Sequence, residues 1–166
     1  MKTQQLFLCI LTIIVVSCST STNNEAFIKK TTGRYLFNSD EVIEVYFDNQ
    51  TLFLKWRGAS TIEPLSIGEE AFFVKEMNEK IQFLTNPENQ ITYMVLVPKT
   101  KNDTLQYNFR KLKQNEKIPS EYLKDNNFEK ALAGYLKIKK IDSLDASLNE
   151  DNFNSLGYKE LGDKNY

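Results

Sequence analysis

The feature that most constrains this chain is a block of alternating aliphatic and aromatic runs between Gly33 and Leu112, broken by turn-forming residues about every ten positions. Successive side chains of a strand point to opposite faces, so a period of two marks a strand with one covered face. In Glu41–Phe47, the residues Ile43, Val45 and Phe47 share one face and Glu44 lies opposite them. Asp48, Asn49 and Gln50 then tolerate a tight reversal, and Leu52, Leu54 and Trp56 resume the period in the next strand. Trp56 is therefore expected to be mostly buried with Leu52 and Leu54. Further runs at Ile62–Ile67, Ala71–Val74, Lys80–Leu84, Ile91–Val97 and Thr104–Leu112, with Gly33–Phe37 in front, give about eight short strands.

A meander of that length leaves two exposed edges unless it closes or packs on itself, so a small barrel or a strongly curled sheet is expected. Pro64 and Pro98 fit at strand ends or on an edge, because each lacks the N–H that a central ladder needs. Tyr35, Phe37, Phe47, Phe53, Trp56, Phe72, Phe73, Phe83, Tyr93, Tyr107 and Phe109 all fall in the block. Rings of this size fill a small barrel more readily than they line a ligand cavity, so a plugged core is favoured over a hollow one.

The front of the chain has a different character. Lys2 precedes an apolar stretch, Leu6–Val16, which is too short to span a bilayer as a helix and reads as the core of a signal peptide over residues 1–17. Val15-Val16-Ser17-Cys18 resembles the lipobox of bacterial lipoproteins. That resemblance implies cleavage before Cys18 and acylation of its thiol, with several acyl chains giving a stable membrane anchor. Residues 18–32 are expected to be a flexible tether, because Ser19–Asn24 is rich in Ser, Thr and Asn without periodicity. Serine after the lipidated cysteine resembles lipoproteins passed to the outer membrane. The absence of an acidic run in the tether favours the periplasmic face over surface export. With Cys9 removed and Cys18 acylated, no thiol remains for a disulfide, a nucleophile or a metal. Loss of Lys2 leaves 20 basic against 22 acidic residues, and no broad basic field argues for nucleic acid.

After the β block, residues 33–113, the period changes to that of a helix over residues 114–166. Asn127 can cap a helix in which Phe128, Ala131, Leu132, Tyr135 and Leu136 recur at three- and four-residue spacing. Lys137, Lys139 and Lys140 near its end suit the dipole and read as a solvated face. Ser147-Leu148-Asn149-Glu150 matches a capping box ahead of a second amphipathic helix carrying Phe153, Leu156 and Leu161. The expected fold class is thus α+β, mainly antiparallel β followed by two amphipathic helices.

The β block, through Gly33-x-Tyr35, Ile43-x-Val45, Leu52-x-Leu54, Leu65, Phe72-Phe73 and Ile81-x-Phe83, resembles the small lipocalin-like domain of unknown function found behind serine β-lactamase-like hydrolases. The tail resembles tetratricopeptide repeats, with Phe128-Glu129-Lys130-Ala131 and Tyr135 as a second repeat helix and Phe153, Leu156-Gly157 and Tyr166 as the first helix of the next. A repeat that stops at Tyr166 reads as truncated. The hydrolase chemistry does not carry over, because the chain has no Ser-x-x-Lys pair.

Other chemistries narrow quickly. The chain has no histidine, so Ser-His-Asp and Cys-His catalysis and ordinary zinc sites find no residues, and no cofactor is expected. Glu41, Glu44, Glu69 and Glu70 are the residue type used in glycoside hydrolysis, but nothing in their spacing singles out a pair. Phe153 stands where a calcium loop over Asn149–Gly157 would need a ligand. Asp103-Thr104-Leu105 and Asp142-Ser143-Leu144 resemble a three-residue O-glycosylation site of exported proteins, which would place sugar on Thr104 and Ser143. The leading expectation is a non-enzymatic, lipid-anchored envelope protein that offers a binding or scaffolding surface. It would hold the membrane through Cys18 and a protein partner or a second copy through the tail. A carrier of small hydrophobic ligands that uses the barrel interior and a truncated accessory region of an envelope serine hydrolase are the alternatives.

Overall fold

A computed structural model of the chain describes residues 23–100 and 102–163, and Cys18 with the lipobox-like residues before it lies outside the described residues. The expected run Ile62–Ile67 is two strands rather than one, and this division explains the architecture. The strands are β1 (Gly33–Asn38), β2 (Glu41–Asp48), β3 (Thr51–Trp56), β4 (Ala59–Ile62), β5 (Leu65–Gly68), β6 (Ala71–Val74), β7 (Glu79–Thr85), β8 (Thr92–Leu96) and β9 (Phe109–Lys111). They form one nine-stranded antiparallel sheet in the order β4-β3-β2-β1-β9-β8-β7-β6-β5, strongly curled into a half-barrel. Its two edges, β4 and β5, are separated in sequence only by Glu63 and Pro64. Three Cα–Cα steps span at most about 11 Å, so the adjoining ends of the edges must lie close and the sheet must curl. Pro64 has no N–H to continue a ladder across that seam.

Register follows the hydrophobic pattern. Val45 pairs with Leu54 and Phe47 with Leu52, which sets the buried faces of β2 and β3 together. The connecting residues Asn49 and Gln50 both have positive φ, 44° and 66°, as a two-residue hairpin turn matched to strand twist requires. Tyr35, Ile43, Val45, Leu54, Val74, Ile81 and Met94 are fully buried in one cluster.

The second half of the expected tether is a helix, which corrects the assignment of residues 18–32. Helix α1 (Glu25–Thr31) begins where the Asn24 side chain accepts a hydrogen bond from Phe27 N, 2.8 Å, with Glu25 in the first turn and Lys29 and Lys30 in the last. Its largest apolar side chain goes inward. The Phe27 ring is 3% exposed and sits 6.1 Å from Phe47, 6.1 Å from Phe72 and 5.9 Å from Phe83. At the other end of the helix, Tyr35 OH donates to Thr31 O, 2.7 Å, and Lys111 Nζ donates to Lys30 O, 2.7 Å, satisfying carbonyls that a helix end leaves open. Burial pushes the Tyr35 phenol up and the Lys111 ammonium down. Gly33 is required here by its φ of +142°, and a Cβ would also push the Lys111 side chain aside, at 2.8 Å from its Cε.

The chain leaves β9 into α2 (Pro119–Lys124), α3 (Phe128–Ile141), a 3₁₀ turn (Ala146–Leu148) and α4 (Glu150–Asp163). Asn127 caps α3 as its sequence implies, accepting from Lys130 N at 3.3 Å. α2 and α3 pack so closely that a Cβ on Gly134 would lie 2.8 Å from Pro119 Cγ. Ser147 is not the cap of α4: it is buried in the 3₁₀ turn, and Asn149 caps instead, accepting from Asn152 N at 2.7 Å. Among the described residues no helix is long and apolar enough to cross a membrane.

Removing the ring that α1 places in the half-barrel leaves a cavity ringed by other aromatics. Phe27→Ala is expected to cost about 3–5 kcal/mol in urea unfolding. A cost below about 1 kcal/mol would mean that the ring does not hold the core.

Candidate functional site

The helical tail meets the sheet at the β1–β2 turn, and there the polar groups concentrate. Asp40 accepts from Ser120 N, 2.8 Å, and from Tyr135 OH, 2.7 Å, so one carboxylate ties the turn to both α2 and α3. Burial pushes the Asp40 carboxyl above its ordinary value, opposed by those two hydrogen bonds. Ser39 Oγ donates to Asp145, which also accepts from Ser147 N and Oγ. Alongside, Arg34 on β1 donates to Glu116 O, 2.9 Å, and pairs with the Glu121 carboxylate, whose other oxygen accepts from Ile118 N at 3.1 Å. Arg110 on β9 forks onto Glu116 and holds its carboxyl down at about 2.

Beside this junction is a cleft of about 270 Å³ lined by Asn38, Asp40, Glu41, Arg57, Ser147 and Asn152. Arg57 donates through Nε to Glu41, 2.8 Å, and its guanidinium lies 4.5 Å from the Trp56 ring centroid. Trp56 packs at a tilt of 56° against Phe37 at 4.9 Å, and Phe37 stacks on Phe109 at 5.1 Å, forming an aromatic rung at this end of the half-barrel. Trp56 shares the inward face of Leu52 and Leu54 but is half-buried, because it is the last residue of its strand; its Nε1 is buried without a partner. At the opposite end a second cleft, about 450 Å³, runs past Asn23, Gln50, Leu52, Pro64, Leu65 and Phe72.

The candidate residues of the sequence fall apart in space. Thr104 is exposed in the loop between β8 and β9, where Asp103 accepts from Lys99 N and Thr100 N. Ser143 is exposed in the turn after α3, where Asp142 accepts from Leu144 N. Of the four glutamates, Glu41 pairs with Arg57, Glu44 with Lys55 and Glu70 with Lys30, while Glu69 is exposed in a turn. Among the described residues no group of His, Cys, Asp or Glu is placed to hold a metal ion. The Asp40 junction carried no sequence signal, because Asp40 lies 80 residues from Ser120 and 95 from Tyr135, which was legible only as part of the apolar face of α3.

The acid response of the junction follows from Glu116. Its carboxyl titrates at about 2 folded against an ordinary 4.5, so the stabilisation it gives is full above about pH 4.5 and is lost as pH falls toward 2. Glu116→Gln should therefore flatten the fall in melting temperature across that window. An unchanged slope would remove Glu116 from the acid response. No protein-family model, curated protein or solved structure matches the chain.

Proposed function

We propose that this is a non-enzymatic, lipid-anchored protein of the bacterial envelope, in which the half-barrel is a rigid mount and the helical tail is the binding surface. One contrast carries the reading. The inward faces of the sheet are occupied by the protein's own side chains, whereas α3 leaves Phe128, Leu132 and Leu136 exposed at 64%, 60% and 56%. Apolar residues aligned along one helix and left in water are a docking feature rather than a packing one. The lipobox-like Val15-Val16-Ser17-Cys18 supplies the anchor, on the outer membrane and facing the periplasm. The 450 Å³ cleft past Gln50, Leu52, Leu65 and Phe72 favours a second reading, a carrier of small hydrophobic ligands, since its volume falls in the range of ligand sites.

Anchoring is tested by Cys18→Ser, which should shift the protein from the membrane to the soluble fraction; a processed variant still in the membrane pellet would contradict it. The two readings separate by titration with a fluorescent fatty-acid probe. The surface reading predicts that any binding is weak and is abolished by Leu132→Lys with Leu136→Lys. Saturable one-to-one binding that survives those changes would establish the carrier instead.

A further inference from the structure

Two helices of the tail expose apolar stripes whose spacing matches residue for residue. On α3 the stripe is Phe128, Leu132 and Leu136; on α4 it is Phe153, Gly157 and Leu161, with Phe153 40% and Leu161 58% exposed. Each runs over eight residue steps, about 12 Å at 1.5 Å per step. Laid antiparallel, they set Phe128 against Leu161, Leu132 against Gly157 and Leu136 against Phe153. The same register brings Lys139 of α3 against Glu150 of α4, both exposed. Space is present where the large residue needs it, because a Cβ on Gly157 would meet nothing within 4 Å.

Charge follows the same complementarity. Within α3, Lys130, Lys137, Lys139 and Lys140 outweigh Glu129 for a net +3, and α4 opens on two acidic residues, Glu150 and Asp151. The two helices do not satisfy each other within one chain, since Leu132, Leu136 and Leu161 stay more than half exposed. The start of α4 is tied within its own chain: Asp145 holds Ser39 and Ser147, Asn152 Nδ2 donates to Ser147 O at 2.9 Å, and Phe153 touches the inner side of α3 at Tyr135, 5.0 Å, while the outer stripe of α3 stays uncovered.

We infer that the partner of this surface is a second copy of the chain, joined by a two-fold exchange in which α3 of each copy receives α4 of the other in the register Phe128–Leu161, Leu132–Gly157, Leu136–Phe153 and Lys139–Glu150. Such a contact is isologous and closes at two, so it does not propagate into a fibre. It rests on the reading of the tail as a binding surface and names what that surface binds.

Two differently tagged full-length copies, co-expressed and extracted in mild detergent, should co-purify. Lys139→Glu or Glu150→Lys carried by both copies should each lower recovery about tenfold, by placing like charges face to face. Combining them restores opposite charges in the same register and should restore recovery. Gly157→Gln, which removes a helix-weakening glycine at an open position, should leave the chain folded and yet prevent co-purification. Absence of co-purification in the wild type would overturn the exchange, as would single reversals without effect. Leu132→Cys with Gly157→Cys gives a further outcome: an oxidised bond within one chain rather than between tags would show that α4 closes on its own α3, which also overturns it. The membrane fraction of the same preparations keeps the failures apart, since a protein still anchored but unpaired loses only the dimer, and one absent from the membrane loses the anchoring reading.

Discussion

The placement of the Phe27 ring inside the curled sheet is the interaction on which the rest depends. Nine short strands leave an unsealed seam at Pro64, and such a sheet cannot close its interior through backbone hydrogen bonds alone. Helix α1 supplies the missing volume from outside the sheet, contacting rings of β2, β6 and β7 at once. Tyr35 and Lys111, on neighbouring inward positions of β1 and β9, then fasten the end of the helix to the pair of strands that closes the circuit. Burying a phenol and an ammonium there costs solvation, and each recovers part of it by donating to an otherwise open helix carbonyl.

A filled interior moves any binding role outward. The junction around Asp40 makes that outward surface rigid, because one half-buried carboxylate is shared by a sheet turn and two helices. Removal of either partner frees one of the two helices from the turn. The tail is consequently held at a fixed attitude to the half-barrel, with the inner side of α3 covered through Ala131 and Tyr135 and the outer side bare. A mobile appendage would lose more entropy on docking than one already ordered.

The elements that sequence made legible are those governed by local rules. Period-two alternation located β1, β2, β3, β6, β7 and β8, and Asn127 marked the start of α3, because strand faces and helix caps are decided within a few residues. Three features escaped for separate physical reasons. The run Ile62–Ile67 reads as continuous, and only the position of its halves on opposite sheet edges reveals Pro64 as a seam. α1 spans 7 residues, too short for periodicity to outweigh the polar stretch before it, although Asn24, Glu25 and the paired Lys29 and Lys30 bear cap and dipole signals. The Asp40 junction joins groups 80 or more residues apart, so no local pattern encodes it. Ser147 shows the opposite error, a capping-box pattern whose serine was taken up by Asp145 while Asn149 capped the helix.

If Phe27 seats α1 as part of the core, the helix cannot open without the sheet. Native-state hydrogen exchange measures this directly at the amide of Thr32, which donates to Ile28 O at 2.9 Å. The account predicts that Thr32 exchanges with the same free energy as Val45 and Leu54 in the buried strands. Exchange at the dead time, with those strands still protected, would mean that α1 is a detachable flap, that the interior is open to ligands, and that the central claim is wrong.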